Sequence, residues 1–209
     1  MVGFSDHALW ATAAGTTALE NFDSLPAGVV TSLPSINVTS MSGLNASNVA
    51  VNQTITSQFS LPFPMFTAGN LPSSPNFISN NMSAASGFAT GSLTFIFASG
   101  QTAVGAFVAD SSPLGGFSIE VFNGTTSLGL INVGNRTLPD SFVGIVSTTP
   151  FTSAKFAALN ANDSWGLDNV EVSTSAAAVP EPGTVATMLT GLVGILMIAA
   201  QKRASARLI

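Results

Sequence analysis

Residues 117–133 read FSIEVFNGTTSLGLINV, and this stretch decides the fold class. Phe117, Ile119 and Val121 fall on one face of an extended chain, and Ser118, Glu120 and Phe122 on the other, because side chains alternate with a period of two in a strand. Asn123-Gly124 then supplies residues that tolerate positive φ, which a tight hairpin turn demands, and SLGLINV returns as the second strand. Working outward, the same texture recurs: Ser92–Ala98, Ala103–Ala109, Phe142–Ser147, Ser153–Leu159 and Trp165–Ser173 are short runs rich in β-branched and aromatic residues, separated by Gly, Asn, Ser and Pro. Seven strands so closely spaced, with no helix-length apolar periodicity from Leu19 to Thr174, predict an all-β, antiparallel β-sandwich over residues 19–174, to which a resemblance given below adds a jelly-roll-like order. Asn21–Ala89 is more irregular. Its six prolines forbid long central strands, and LPFPMFTAGNLPSSPNF reads as a loop excursion that caps one end of the sandwich or shapes a shallow surface.

The composition narrows function. Of 209 residues 46% are apolar, enough for a real core, while only 7% are charged and the net charge is −5. Ser, Thr, Asn and Gly fill the gap, giving a neutral, hydroxyl-rich surface. Before Val179 only Arg136 and Lys155 are basic, so no stripe exists to meet a phosphate backbone and nucleic-acid binding is not expected. Cysteine is absent, which removes disulfides and thiolate metal sites. The sole histidine, His7, lies in the first residues with no evident partner, so neither a Ser-His-Asp site nor a zinc site is expected. A glycosidase could use a carboxylate pair drawn from Asp110, Glu120, Asp140, Asp163 and Asp168, but nothing in the sequence pairs them. The expectation is a protein that is not an enzyme.

Residues 1–18 (MVGFSDHALWATAAGTTA) read as a leader. Asp6 and His7 stand where a secretory signal would be basic, and no apolar run is long enough for its core, so the segment is at most the remnant of a signal peptide. At the other end, residues 175–183 form a linker containing Pro180-Glu181-Pro182, whose two prolines break strand and helix alike. Residues 184–200 (TVATMLTGLVGILMIAA) carry no charge. As a helix these 17 residues would span about 25 Å, just short of the ~30 Å hydrocarbon core. Lys202, Arg203 and Arg207 follow in the final segment, 201–209, and a basic flank of this kind stays on the cytoplasmic side, predicting one transmembrane helix with the domain outside.

Linker, uncharged helix and basic end, in that order at the C-terminus, closely resemble the PEP-CTERM sorting signal of exopolysaccharide-forming Gram-negative bacteria. The matching residues are Pro180, Glu181 and Pro182 for the signature, residues 184–200 for the helix, and Lys202, Arg203 and Arg207 for the basic flank. The resemblance implies an exosortase-type membrane protease as partner, a transient stay in the inner membrane, cleavage near the motif, and a mature form at the outer surface or in the extracellular matrix. A plain, uncleaved anchor is the alternative.

Two acidic segments remain. Leu19-Glu20-Asn21-Phe22-Asp23 and Asn162-Asp163-Ser164-Trp165-Gly166-Leu167-Asp168-Asn169 each gather oxygen ligands of the kind Ca²⁺ takes. The LENFDSLPAG opening and the SWGLDNVEVS closing strand are similar to galactose-binding-like jelly rolls, and that resemblance implies a structural Ca²⁺ where the first and last strands meet. Glu20 and Asp168 would lead such a site, with Asp23 and Asp163 behind them, although acids in solvated turns explain the same residues. Trp165 fits core packing, or stacking on a sugar ring. For the body the expectation is adhesion or matrix contact. The alternatives are a carbohydrate-binding module for exopolysaccharide, or an ice-binding-type surface protein, although the regular Thr-x-Thr rows of the last are missing.

Overall fold

A computed structural model of the chain describes residues 1–45, 47–57, 72–73, 76–80, 90–109, 116–133, 142–158 and 165–174. Met1–Ala177 packs as one compact unit. The predicted linker, uncharged stretch and basic end, residues 175–209, lie outside the described residues, and among the described residues no helix is long and apolar enough to cross a membrane.

The body is an antiparallel all-β sandwich with one short helix. In chain order it comprises β1 (Val2–Phe4), α1 (His7–Ala14), β2 (Ala18–Glu20), β3 (Gly28–Val30), a 3₁₀ turn at Pro34–Ile36, β4 (Val38–Asn45), β5 (Ala50–Val51), β6 (Gln53–Thr56), β7 (Phe77–Asn80), β8 (Thr90–Ala109), β9 (Phe117–Asn123), β10 (Thr126–Val133), β11 (Phe142–Ala158) and β12 (Gly166–Ser173). The predicted hairpin is β9–β10. Its two-residue turn is Gly124-Thr125, with Asn123 opposite Thr126 and Gly124 at φ 59°, the left-handed geometry such a turn requires. Phe117, Ile119 and Val121 are buried in the core, on the face that the alternation assigns them.

Where the sequence predicts four strands around Gly100 and Pro150, the structure has two long ones. β8 and β11 run antiparallel along their length, bend together, and so belong to both layers. Their first pairing, Phe142 opposite Phe107 through Val146 opposite Ala103, gives way at Phe151 opposite Gln101 to a second, Ser153 opposite Ile96 through Ala157 opposite Ser92. The strands cross closely at the bend: a Cβ on Gly100 would lie 2.9 Å from Pro150. Burial parity flips there as well. Leu93, Phe95 and Phe97 point into the core before the bend, and Val104, Ala106 and Val108 after it. The residues that resemble turn formers therefore mark a corner at which the strands change layer without ending.

The first layer runs β5-β4-β8-β11-β9-β10 through the initial part of β8 and the last part of β11. The second runs β1-β11-β8-β12 through their other parts, with β2 and β7 sharing the far edge of β12 and β6 and β3 continuing from β7. Between the layers lies one apolar core holding Phe95, Phe156, Ile119 and Val121 from the first and Val104, Ile145, Val170 and Val172 from the second. Each such fully buried side chain contributes about 1.5–3 kcal/mol.

The N-terminal residues correct the sequence reading. Residues 1–18, expected as a leader ahead of the domain, are built into it. β1 pairs with β11, placing Val2 opposite Val146, and β2 pairs with β12. Asp6 caps α1, its side chain accepting from the Leu9 N–H at 2.9 Å. Trp10 is fully buried against the outer face of the second layer and donates from Nε1 to the Ile145 carbonyl at 3.3 Å. Gly105 and Gly144 make the flat floor it needs, since a Cβ on either would come within 2.5–3.0 Å of the Trp10 or Phe142 rings. α1 thus covers a strand face that would otherwise show apolar surface to water.

Candidate functional site

Among the described residues, two polar clusters and the outer face of one layer hold the chemistry of the body. The first cluster forms where the opening and closing segments meet. Register puts Glu20 opposite Val170 and Leu19 opposite Glu171, so β2, which carries the opening LENFD segment, lies beside the closing strand β12, and the two acidic segments meet. At this junction β12 carries a bulge. Its pairing with β8 slips between Asp168 and Glu171, Asn169 sits at φ 45°, and core-facing parity changes from Trp165 and Leu167 to Val170 and Val172.

Asp168 is wholly buried at the bulge, and its carboxylate collects the Ser73 N–H (3.1 Å), the Ser73 hydroxyl (2.9 Å to Oδ1) and the Asn169 N–H (2.7 Å). The Ser73 hydroxyl also reaches the Asn21 carbonyl at 3.1 Å. Burial raises the Asp168 pKa from 3.8 to about 6; the hydrogen bonds from Ser73 and Asn169 oppose the shift, and the charge of Asp23 adds to it. Glu20 accepts the Phe22 N–H (2.9 Å) and the Ser35 hydroxyl. Asp23 accepts the Asn76 N–H at 3.1 Å, and the Asn76 amide donates on to the Leu25 carbonyl at 3.3 Å. Phe22, between the two acids, is buried at φ 63°, a conformation that costs a non-glycine residue about 1–3 kcal/mol and persists because its surroundings fix it.

The structure thus places three of the four acids expected to bind Ca²⁺, Glu20, Asp23 and Asp168, at one junction, and there each accepts hydrogen bonds from the chain itself. Asp163 lies outside the described residues, and among the described residues no group of three His, Cys, Asp or Glu side chains is placed to hold a metal ion. Of the carboxylates considered for hydrolysis, Asp110, Asp140 and Asp163 lie outside the described residues. Glu120 sits on the first layer and Asp168 at the bulge in the second, so the described pair is not assembled. The sorting residues Pro180, Glu181 and Pro182 and the basic Lys202, Arg203 and Arg207 also lie outside them.

The second cluster was invisible in the sequence. His7, expected to lack a partner, has one: Nε2 lies 2.6 Å from Glu171 Oε1. Thr17 donates to the other oxygen, Oε2, at 2.7 Å. The imidazole rests among Trp10, Phe107 and Phe142, its centroid 5.0 Å from that of Phe142 and 5.2 Å from that of Phe107. The bulge at Asp168–Asn169 makes this contact, because the parity change turns Glu171 to the outer face beneath α1. The arrangement does not activate a nucleophile: the carboxylate stands between imidazole and hydroxyl, whereas base catalysis needs the hydroxyl on the imidazole. It clasps α1 to the sheet.

Trp165 is a core residue, buried and edge-on to Phe117 with centroids 4.6 Å apart, so it offers no face to a sugar. The outer face of the first layer instead presents half-buried and exposed side chains, with no described element packed over it. Register aligns Ser42, Thr94, Lys155, Glu120 and Leu130 in one row across five strands, and Ser40, Ile96, Ser153, Phe122 and Ser127 in the next. Ile96 is 40% and Leu130 50% exposed. The Ser127 hydroxyl donates to Glu120 Oε1 at 2.8 Å.

No family model matches the sequence, and no curated protein matches it. Among solved structures, the chain is similar to the K2 cleaved adhesin domain of Lys-gingipain, with 15% identity, 76% of this chain and 99% of that one covered, and a TM-score of 0.44. A second is a Stig cyclase from Fischerella sp. TAU, at 11% identity, coverage of 78% and 100%, and TM-score 0.44. A third is CsCBM6-3 from Clostridium stercorarium in complex with cellobiose, at 20% identity, coverage of 63% and 97%, and TM-score 0.32.

Proposed function

We propose that this chain is an exported cell-surface or extracellular-matrix protein whose C-terminal segment is a sorting signal and whose body is a non-enzymatic adhesion or matrix module. One observation carries the sorting assignment: Pro180-Glu181-Pro182, an uncharged stretch over 184–200, and Lys202, Arg203 and Arg207 follow one another in the order of the PEP-CTERM signal. The stretch holds the precursor in the inner membrane as a helix, and the basic residues keep the end on the cytoplasmic side. The prolines hold an extended backbone at the membrane face, where an exosortase-type protease reaches it and releases the body to the surface or matrix. The body is jelly-roll-like, a reading supported by the pairing of β2 with β12 and by the two strands shared between layers.

A non-catalytic body is supported by its chemistry. The only histidine of the chain is engaged by Glu171, and the carboxylates of the junction are engaged by donors of the chain itself. The test is to replace Pro180, Glu181 and Pro182 with alanine in the native host and to follow the mature C-terminus by mass spectrometry. The expected result is uncleaved precursor in the inner membrane for the variant and a shortened chain outside the cell for the parent. Recovery from outside the cell of a parent chain still ending at Ile209 would overturn the assignment.

A further inference from the structure

The outer face of the first layer combines features that the junction and the clasp lack. Lys155 is the only Lys or Arg among the described residues, and its ammonium has no partner among them. In register it stands opposite both Thr94 and Glu120, on strands about 5 Å away on either side. Glu120 is steadied on one oxygen by Ser127, which leaves its second oxygen to accept from a ligand. One row along, Ile96 and Phe122 flank Ser153, so an aliphatic patch and a ring border the polar row. Phe122 is half-buried and its ring packs on no other ring among the described residues, while Ile96 is exposed.

A donor-only cation, an acceptor-only carboxylate and hydroxyls that do both, set beside apolar surface, match the two sides of a sugar ring. Its hydroxyls each donate and accept, and its C–H face is apolar. Charge narrows the ligand further. Lys155 and Glu120 offset one another and the chain carries −5, so a polyanion gains nothing here while a neutral polymer is not repelled. We propose that the outer face of the first layer binds an extended, neutral polysaccharide, sugar rings lying on Ile96 and Phe122 while their hydroxyls bridge Lys155 and Glu120. This rests on the matrix-module reading of the body and is independent of the tail.

The test is retention of the full chain, in mild detergent, on beads bearing a neutral β-glucan, a neutral galactan or a polyuronate. Retention on at least one neutral polymer, insensitive to added salt, is expected, and on the order of tenfold weaker for Lys155→Ala, Glu120→Gln and Phe122→Ala. Lys155→Arg should retain binding, and so should Val29→Ser, a change at an exposed site on β3. Glu120→Gln preserves size and serves if Lys155→Ala disturbs folding; unchanged melting certifies each variant. Absence of retention on both neutral polymers, preference for the polyuronate, or equal retention by the three variants and the parent would each overturn the proposal. None of these results touches cleavage at Pro180–Pro182, so the two assignments fail separately.

Discussion

Replacing Asp168 with Asn tests the electrostatic account of the junction. Asp168 is wholly buried, and its pKa rises from 3.8 to about 6 chiefly because burial penalises the charged form. The folded state therefore holds the proton more tightly than the unfolded chain, so protonation favours folding. The contribution is complete below about pH 4, is lost as the pH rises from about 4 to 6, and levels off above. A rise of this size corresponds to about 3 kcal/mol between the fully protonated and fully ionised limits, of which about 2 kcal/mol falls inside that window. The Asn side chain cannot ionise, and its single carbonyl oxygen still accepts one of the two Ser73 donors. The assay is urea unfolding of parent and Asp168→Asn at pH 4, 5, 6 and 7. Relative to the variant, the parent should lose about 2 kcal/mol from pH 4 to 7, and at pH 7 the lost hydrogen bond should be largely offset by removal of the buried charge. A stability difference between the two that is constant across this range, or that moves in favour of the parent as the pH rises, would refute the reasoning.

Two more predictions follow from the same geometry. Trp10→Ala empties the space above Gly105 and Gly144 and should cost about 3–5 kcal/mol, read as a fall in the unfolding midpoint; a loss below about 1 kcal/mol would mean that α1 is not integral to the domain. EDTA is expected to leave the melting temperature unchanged, because donors of the chain already engage Glu20, Asp23 and Asp168; a fall reversed by added calcium would return these acids to the metal role that the sequence resemblance implies.

What the sequence disclosed depended on whether the cause was local. The β9–β10 hairpin is legible because alternating apolar residues and a turn-forming Asn-Gly lie in one short window, although the turn itself falls one residue on, at Gly124-Thr125. The meeting of β2 with β12 follows the expectation that a jelly roll sets its opening and closing strands side by side, but β1, which precedes β2, pairs with β11. β8 and β11 were read as four strands because Gly100 and Pro150 look like turn residues, and only their mutual approach across the corner shows that neither chain reverses. β4 is hard to read because its alternation is broken: Leu44 stands on the outward face with Ser40 and Ser42, while Gly43 and Asn45 lie on the buried side with Met41. The clasp of His7 to Glu171 spans 164 residues, so no window could contain it. Asn169, a positive-φ residue within a strand, is the one local hint of the bulge that turns Glu171 outward, and among residues other than glycine asparagine is one of those that most readily adopt that conformation.

The position of β12 governs the order in which the body can be assembled. It is the bridge in the second layer, joined on one side to β8 and on the other to β2 and β7, through which β6 and β3 are held. Until Gly166–Ser173 is available, β2 and the β7-β6-β3 group have no central neighbour to dock on, and such distant pairings form slowly. The first layer needs no part of this strand, so its six strands can pair as soon as β11 is present, and only the far edge of the second layer waits for the closing segment.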